Sequence, residues 1–137
     1  MPATYKILSE PDLVYIRFSG DLAIDEISES LSTFAEDSSY REGMSHYFDL
    51  SDLTSYEQDQ TKIMAWQAQV ADVYPIGGKE HLMVFCAPEG PALDLATQIR
   101  KSWDGGHHPI VLRVFTDQQQ ALKVLGLTHP TLQALLS

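Results

Sequence analysis

The sequence predicts an α/β fold, with an N-terminal β-hairpin followed by four βα units and a five-stranded mixed sheet carrying helices mainly on one face. Three observations carry this prediction. Two alternating runs, 4–9 (TYKILS) and 13–19 (LVYIRFS), flank Glu10, Pro11 and Asp12, a turn trio in which proline presets the backbone. Residues 81–87 (HLMVFCA) are apolar almost without a break, as expected of a parallel strand covered on both faces. Single helical stretches separate the later strands, which implies parallel neighbours joined by right-handed crossovers.

Taken in order, the elements support one another. In 13–19, Val14, Ile16 and Phe18 share one face and Tyr15, Arg17 and Ser19 the other, so the two runs pair as an antiparallel hairpin. Gly20 and Asp21 end it. A helix over about 24–36 puts Ile24, Ile27, Leu31, Phe34 and Ala35 on one stripe, with Asp25 and Glu26 in its first turn, where negative charge is favoured. A loop, 37–43, leads to a strand at 45–50, and a second helix covers about 58–74, striped by Ile63, Trp66, Val70 and Tyr74. Pro75, Gly77 and Gly78 stop it. After the apolar strand, Pro88-Glu89-Gly90-Pro91 turns into a helix over about 91–103 with Ala92, Leu95, Ala96, Ile99 and Trp103 facing inward. A strand follows at 110–115, then Thr116 and Gln119 in the form of a capping box that opens a helix ending near Leu125 and Gly126. The tail HPTLQALLS adds a short apolar turn. Strands 81–87 and 110–115 are apolar on both sides, so the second sheet face needs a cover: a helix, this tail, with Leu132, Leu135 and Leu136, or a second subunit, the tail or a homodimer being favoured.

Length and charge narrow the function classes. A chain of 137 residues fits one domain, 1–137, with a core of about 4–127 and a tail of 128–137; a domain of this size buries roughly two-thirds of its unfolded surface. A net charge of −10, with Lys and Arg scattered apart from Arg100-Lys101, excludes nucleic acid and anionic lipid as main partners. No basic-then-apolar leader opens the chain and no apolar run nears the roughly 20 residues that span a bilayer. The expected location is the cytoplasm, without membrane insertion. Cys86 is the one cysteine; inside an apolar strand it reads as a small buried hydrophobe.

Chemistry in α/β sheets gathers beyond the carboxyl ends of the parallel strands. Here those ends are Gly20-Asp21, Ser51-Asp52, Ala87-Pro88-Glu89-Gly90 and Thr116-Asp117. The segment after the third strand is the richest: Ser51, Thr54 and Ser55 offer hydroxyls, Asp52, Glu57 and Asp59 offer carboxylates, and Gln58 offers an amide. These seven residues form the expected partner or ligand edge, and Glu89 with Gly90 a candidate anion or ligand contact at the start of the next helix. No catalytic residues are assigned, because no Gly-x-Ser-x-Gly turn, base or oxyanion arrangement accompanies the serines. The side chains are read instead as caps and loop closures. No cofactor or metal is expected. His107 and His108 are adjacent and point apart in an extended chain, His46, His81 and His129 lack ligand spacing, and the paired glycines match no phosphate-binding pattern.

The hairpin, the βα units and several local motifs resemble a known family. Tyr47-Phe48-Asp49-Leu50-Ser51, the strand-ending Ala87-Pro88, Ser102-Trp103-Asp104-Gly105 and the closing Ala121-Leu122-x-x-Leu125-Gly126-Leu127 are similar to STAS-type domains. These have the SpoIIAA-like fold of anti-sigma-factor antagonists, and the chain is particularly similar to a bacterial SpoIIAA-like branch grouped with CRAL-TRIO lipid-binding relatives. The resemblance covers about 4–127. It implies a non-enzymatic interaction, sensory or regulatory module. The antagonists' phosphorylated serine lies in an Asp-Ser-Ser-Gly setting, which falls here on Glu57, Gln58, Asp59 and Gln60. The acid is kept in kind by Glu57; both serines and the glycine are absent, and Asp59 places a fixed charge there. The leading expectation is thus a module that meets an unidentified protein partner or self-associates. The alternative is a small-molecule or lipid carrier with an apolar pocket between the sheet and the helices at 58–74 and 91–103. A third reading, an enzyme using Glu57 or Asp59 with Ser51, lacks the base and oxyanion groups it needs.

Overall fold

A computed structural model describes residues 3–74, 77–102 and 109–137. The elements run β1 (Ala3–Leu8), β2 (Leu13–Leu22), α1 (Ile24–Ala35), β3 (Ser45–Tyr56), α2 (Gln60–Val73), β4 (His81–Cys86), α3 (Pro91–Ser102), β5 (Ile110–Phe115), α4 (Gln118–Val124) and α5 (His129–Leu136). They form a five-stranded sheet of order β1-β2-β3-β4-β5. β1 and β2 are antiparallel, and the other pairs are parallel. This is the predicted α/β architecture. In the hairpin turn Asp12 takes φ +66°, a left-handed conformation that a short polar side chain tolerates, and its carboxylate pairs with Arg41.

Because the strand order steps in one direction, successive right-handed crossovers place α1, α2 and α3 on the same side. There Ile16, Phe18, Ile27, Leu31, Phe34, Trp66, Val70, Phe85, Leu95 and Ile99 join one core. Phe48 and Phe85 stack at its centre, 4.3 Å between ring centroids and 6° between planes. The last helices follow β5 and are free of a crossover, so α4 and α5 turn to the opposite face. They bury Leu8, Leu13, Tyr47, Val84 and Cys86 beneath Ala121, Leu122 and Leu132. Of the covers expected for this face, a helix (α4) and the tail are both in place, and the tail is itself a helix rather than a turn. Thr128 caps it by accepting from the Thr131 amide. Replacing Leu132, 1% exposed, by Ala is expected to lower the unfolding free energy by about 2–3 kcal/mol, within the usual range for a buried leucine. Urea denaturation checks this, and an unchanged midpoint would mean that α5 does not seal the face.

Two local expectations are corrected. Asp117, and not Thr116, caps α4, its carboxylate accepting from the Gln119 amide at 3.0 Å; the shorter reach of the Asp oxygen to the second helical amide decides between two suitable caps. The third strand does not stop at residue 50. It runs to Tyr56 alongside an equally prolonged β2, with Gly20 opposite Leu53 and Leu22 opposite Tyr56. Ser51, Asp52, Thr54 and Ser55 are therefore strand residues and not a loop. The expected inward Trp103, the His107-His108 pair and Pro75 lie outside the described residues.

Candidate functional site

The prolonged half of β3 is shaped by two irregularities. Arg17 and Ser19 of β2 face Asp49 and Asp52, and Gly20 and Asp21 face Leu53 and Ser55, so β3 carries one extra residue in each interval. Each such bulge turns the strand. The result is burial at every third position: Leu50, Leu53 and Tyr56 point inward at 0%, 7% and 8% exposure, while the pairs Ser51-Asp52 and Thr54-Ser55 face out.

The outward groups are already partnered. The Ser51 amide donates to Asp49 Oδ1 at 3.1 Å, and Tyr15 donates to Asp49 Oδ2 at 3.0 Å. Asp52 pairs with Arg17. Thr54 and Ser55 both donate to Asp21 Oδ1, at 3.1 and 2.6 Å, and these bonds hold the Asp21 carboxyl below its usual range. Glu57 bridges two helices, accepting from the Ile24 amide at 3.1 Å with one oxygen and from Lys62 at 3.3 Å with the other. Asp59 caps α2 by accepting from the Lys62 amide at 3.2 Å. Gln58 is exposed, as are Glu89 and Gly90 in the turn before α3. Gly90 takes φ +115°, open to glycine alone at little cost, and its carbonyl accepts from Asp94 at 3.1 Å.

Sequence reasoning passed over Tyr56, Asp94 and Gln98, which tie this edge to α3. Tyr56 donates to Asp94 and accepts from Gln98 Nε2 at 2.6 Å. Burial, reinforced by the Asp94 carboxylate, pushes the Tyr56 hydroxyl up to about 12. It also passed over Arg17 and Asp49. These two, with Ser51, Asp52, Gln118 and His129, line an open polar groove of about 540 Å³ between the sheet and α5. Ser51 Oγ lies 3.7 Å from Cys86 Sγ, and burial pushes that thiol up. A neutral thiol is no base for a serine, and the arrangement offers hydrogen bonds and charge rather than an activated nucleophile.

A second polar cluster lies on the inner face. His46 and His81, on adjacent strands with ring centroids 5.4 Å apart, both donate from Nδ1 to the Met44 carbonyl, at 3.0 and 3.2 Å. Tyr74 donates to His46 Nε2 at 2.8 Å, and the Gly43 amide to His81 Nε2 at 3.4 Å. Each ring thus donates from one nitrogen and accepts at the other, the pattern of a neutral imidazole. Burial, with His81 close by, pushes His46 down to about 3, and burial also lowers His81. No group of three or more His, Cys, Asp and Glu side chains among the described residues gathers as a metal site. No described helix is long and apolar enough to cross a membrane.

No family model matches the chain, and no curated protein matches it. Among solved structures it is similar to the anti-sigma factor antagonist SpoIIAA in its unphosphorylated form, at 14% identity and a TM-score of 0.48, over 91% of this chain and 99% of that one. The likeness is one of fold. The architecture described above rests on this chain's own strand order and crossovers.

Proposed function

We propose that residues 1–137 act as one non-enzymatic, STAS-like regulatory module that meets a protein partner at the carboxyl edge of its sheet. The contact residues are Ser51, Asp52, Thr54, Ser55, Glu57, Gln58 and Asp59, with Glu89 and Gly90 beside them. One observation carries this reading: the edge is exposed, yet its side chains are held in place by bonds to Arg17, Asp21, the Ile24 amide and Lys62. Such an edge costs little further ordering on binding. The carboxylates of Asp21, Asp25, Asp52, Glu57 and Asp59 outnumber the cations Arg17 and Lys62, so a basic partner surface is the complementary one, attracted at long range and screened by salt. Asp59 supplies a permanent negative charge at the start of α2, so the contact needs no phosphorylation step.

The carrier reading is narrowed by size. The cavity between the sheet and α1–α3 measures about 40 Å³, against the roughly 300–1,000 Å³ of pockets that enclose larger ligands; an acyl chain does not fit this conformation. The module reading is tested by affinity capture on immobilised protein, compared with the double variant Asp52→Lys, Gln58→Lys. The variant is expected to melt within about 2 °C of the parent, since both positions are exposed. It is also expected to lose the captured partner at least tenfold, and 0.5 M salt should weaken capture by the parent in the same way. Equal recovery by parent and variant would count against the edge as the contact, and recovery of a second copy of this chain would make the partner itself.

A further inference from the structure

The polar groove of about 540 Å³ runs between the outer face of the β1–β2 hairpin and α5, and its volume lies within the range of small-molecule sites. Four charged side chains border it: Lys6, Arg17, Asp49 and Asp52. Across the hairpin Thr4 pairs with Arg17 and Lys6 with Tyr15. Lys6 and Arg17 are therefore diagonal neighbours on one face, close enough for side chains of this length to meet one ligand. His129, Gln133 and Leu136 of α5 form the opposite wall.

The hydrogen bonds of this groove do not balance. Its acceptors are largely spent within the protein: both Asp49 oxygens are taken, by the Ser51 amide and the Tyr15 hydroxyl, and Asp52 pairs with Arg17. Its donors are not. A guanidinium carries five N–H groups and an ammonium three. Among the described residues Arg17 reaches Asp52 through Nη2 and the Leu112-type backbone contacts of an edge are absent from it, while Lys6 donates to the Leu136 carbonyl at 3.3 Å. Each cation is thus held in place by one bond with the rest of its donors turned to solvent.

We infer that the groove binds a small organic carboxylate, its charged group set between Lys6 and Arg17 and its body against the Tyr15 ring and Leu136. A carboxylate accepts charge-assisted hydrogen bonds from both cations, and because both are already positioned, binding orders little. Two cations stand against two carboxylates, so the site takes one further negative charge more readily than two; a phosphate dianion meets repulsion from Asp49 and Asp52. The groove shares Ser51 and Asp52 with the partner edge. Binding of a small acid by the free chain needs no protein partner, however, so the two readings fail separately.

Benzoate and benzamide, alike in shape and different in charge, serve as probes. Each is titrated into the ¹⁵N-labelled full chain at constant ionic strength and followed by amide shifts. Benzoate is expected to shift residues 4–6, 15–17 and 129–136, and benzamide to bind at least about fivefold more weakly. Arg17→Gln is expected to weaken benzoate about five- to tenfold, the worth of one hydrogen bond to a charged group, with the remaining amide spectrum unchanged. Lys6→Gln, at an exposed position, is expected to act in the same direction. Inorganic phosphate is expected to bind more weakly than benzoate. The inference is overturned if benzoate leaves these amides unmoved or if benzamide binds as well. It is also overturned if phosphate binds more tightly, or if benzoate binding survives both substitutions unchanged.

Discussion

Phe85→Ala is expected to lower the unfolding free energy by about 3–5 kcal/mol, the usual cost of removing a buried phenylalanine. Phe85 is 1% exposed, lies on β4 between β3 and β5 and stacks on Phe48 of β3. Its ring also walls the cavity beneath α1 and α2. Removing it therefore merges the new void with an existing one, and the surroundings cannot collapse from both sides at once. This argues for the upper part of the range. For a chain of this length each kcal/mol moves the melting temperature by roughly 3–5 °C, so a fall of about 10–20 °C is expected by calorimetry. A fall below about 4 °C would show that the inner core is not organised around this stack.

Acid is expected to unfold the protein through its two inner histidines. In the folded chain His46 and His81 are neutral and their pKa values are lowered, His46 to about 3; in the unfolded chain both return to about 6.5. Below about pH 6.5 the unfolded state therefore binds protons that the folded state refuses. Stability then falls as pH drops, by up to about 1.4 kcal/mol per pH unit for each histidine, and for His46 this continues towards pH 3. Above pH 7 neither residue contributes to the slope. The carboxyls of Asp21 and Asp37, also held low, add in the same direction at more acid pH. Urea denaturation at pH 7.5, 6 and 5 reads the slope, and proton NMR of the imidazoles assigns it. A His46 ring that titrates near pH 6.5 in the folded protein would contradict the buried, neutral pairing with Met44 and Tyr74.

The elements that could be read from the sequence are those whose signals are local. The 10–12 turn, the continuous apolar run of β4 and the stripes of α1 and α2 each depend on neighbours within a few residues, and each stands where expected. The outer half of β3 was hidden because its two bulges convert the strand's period of two into burial at Leu50, Leu53 and Tyr56. That spacing matches neither a strand nor a helix, so the polar pairs between them read as a loop. The candidate edge was visible as composition, hydroxyls and carboxylates at the carboxyl end of a strand. Its bonding was not, since Asp21 meets Thr54 and Ser55, and Tyr56 meets Asp94, across more than thirty residues of chain. The pairing of His46 with His81 depends on strand register in the same way.

The edge itself can be tested by amide hydrogen exchange on the free protein and on its complex with the captured partner. Slowed exchange confined to 51–60, with 89–91 beside it, and reversal of that protection by Asp52→Lys with Gln58→Lys, is the predicted result. Protection that instead falls on α4 and α5, with 51–60 unchanged, would contradict the account.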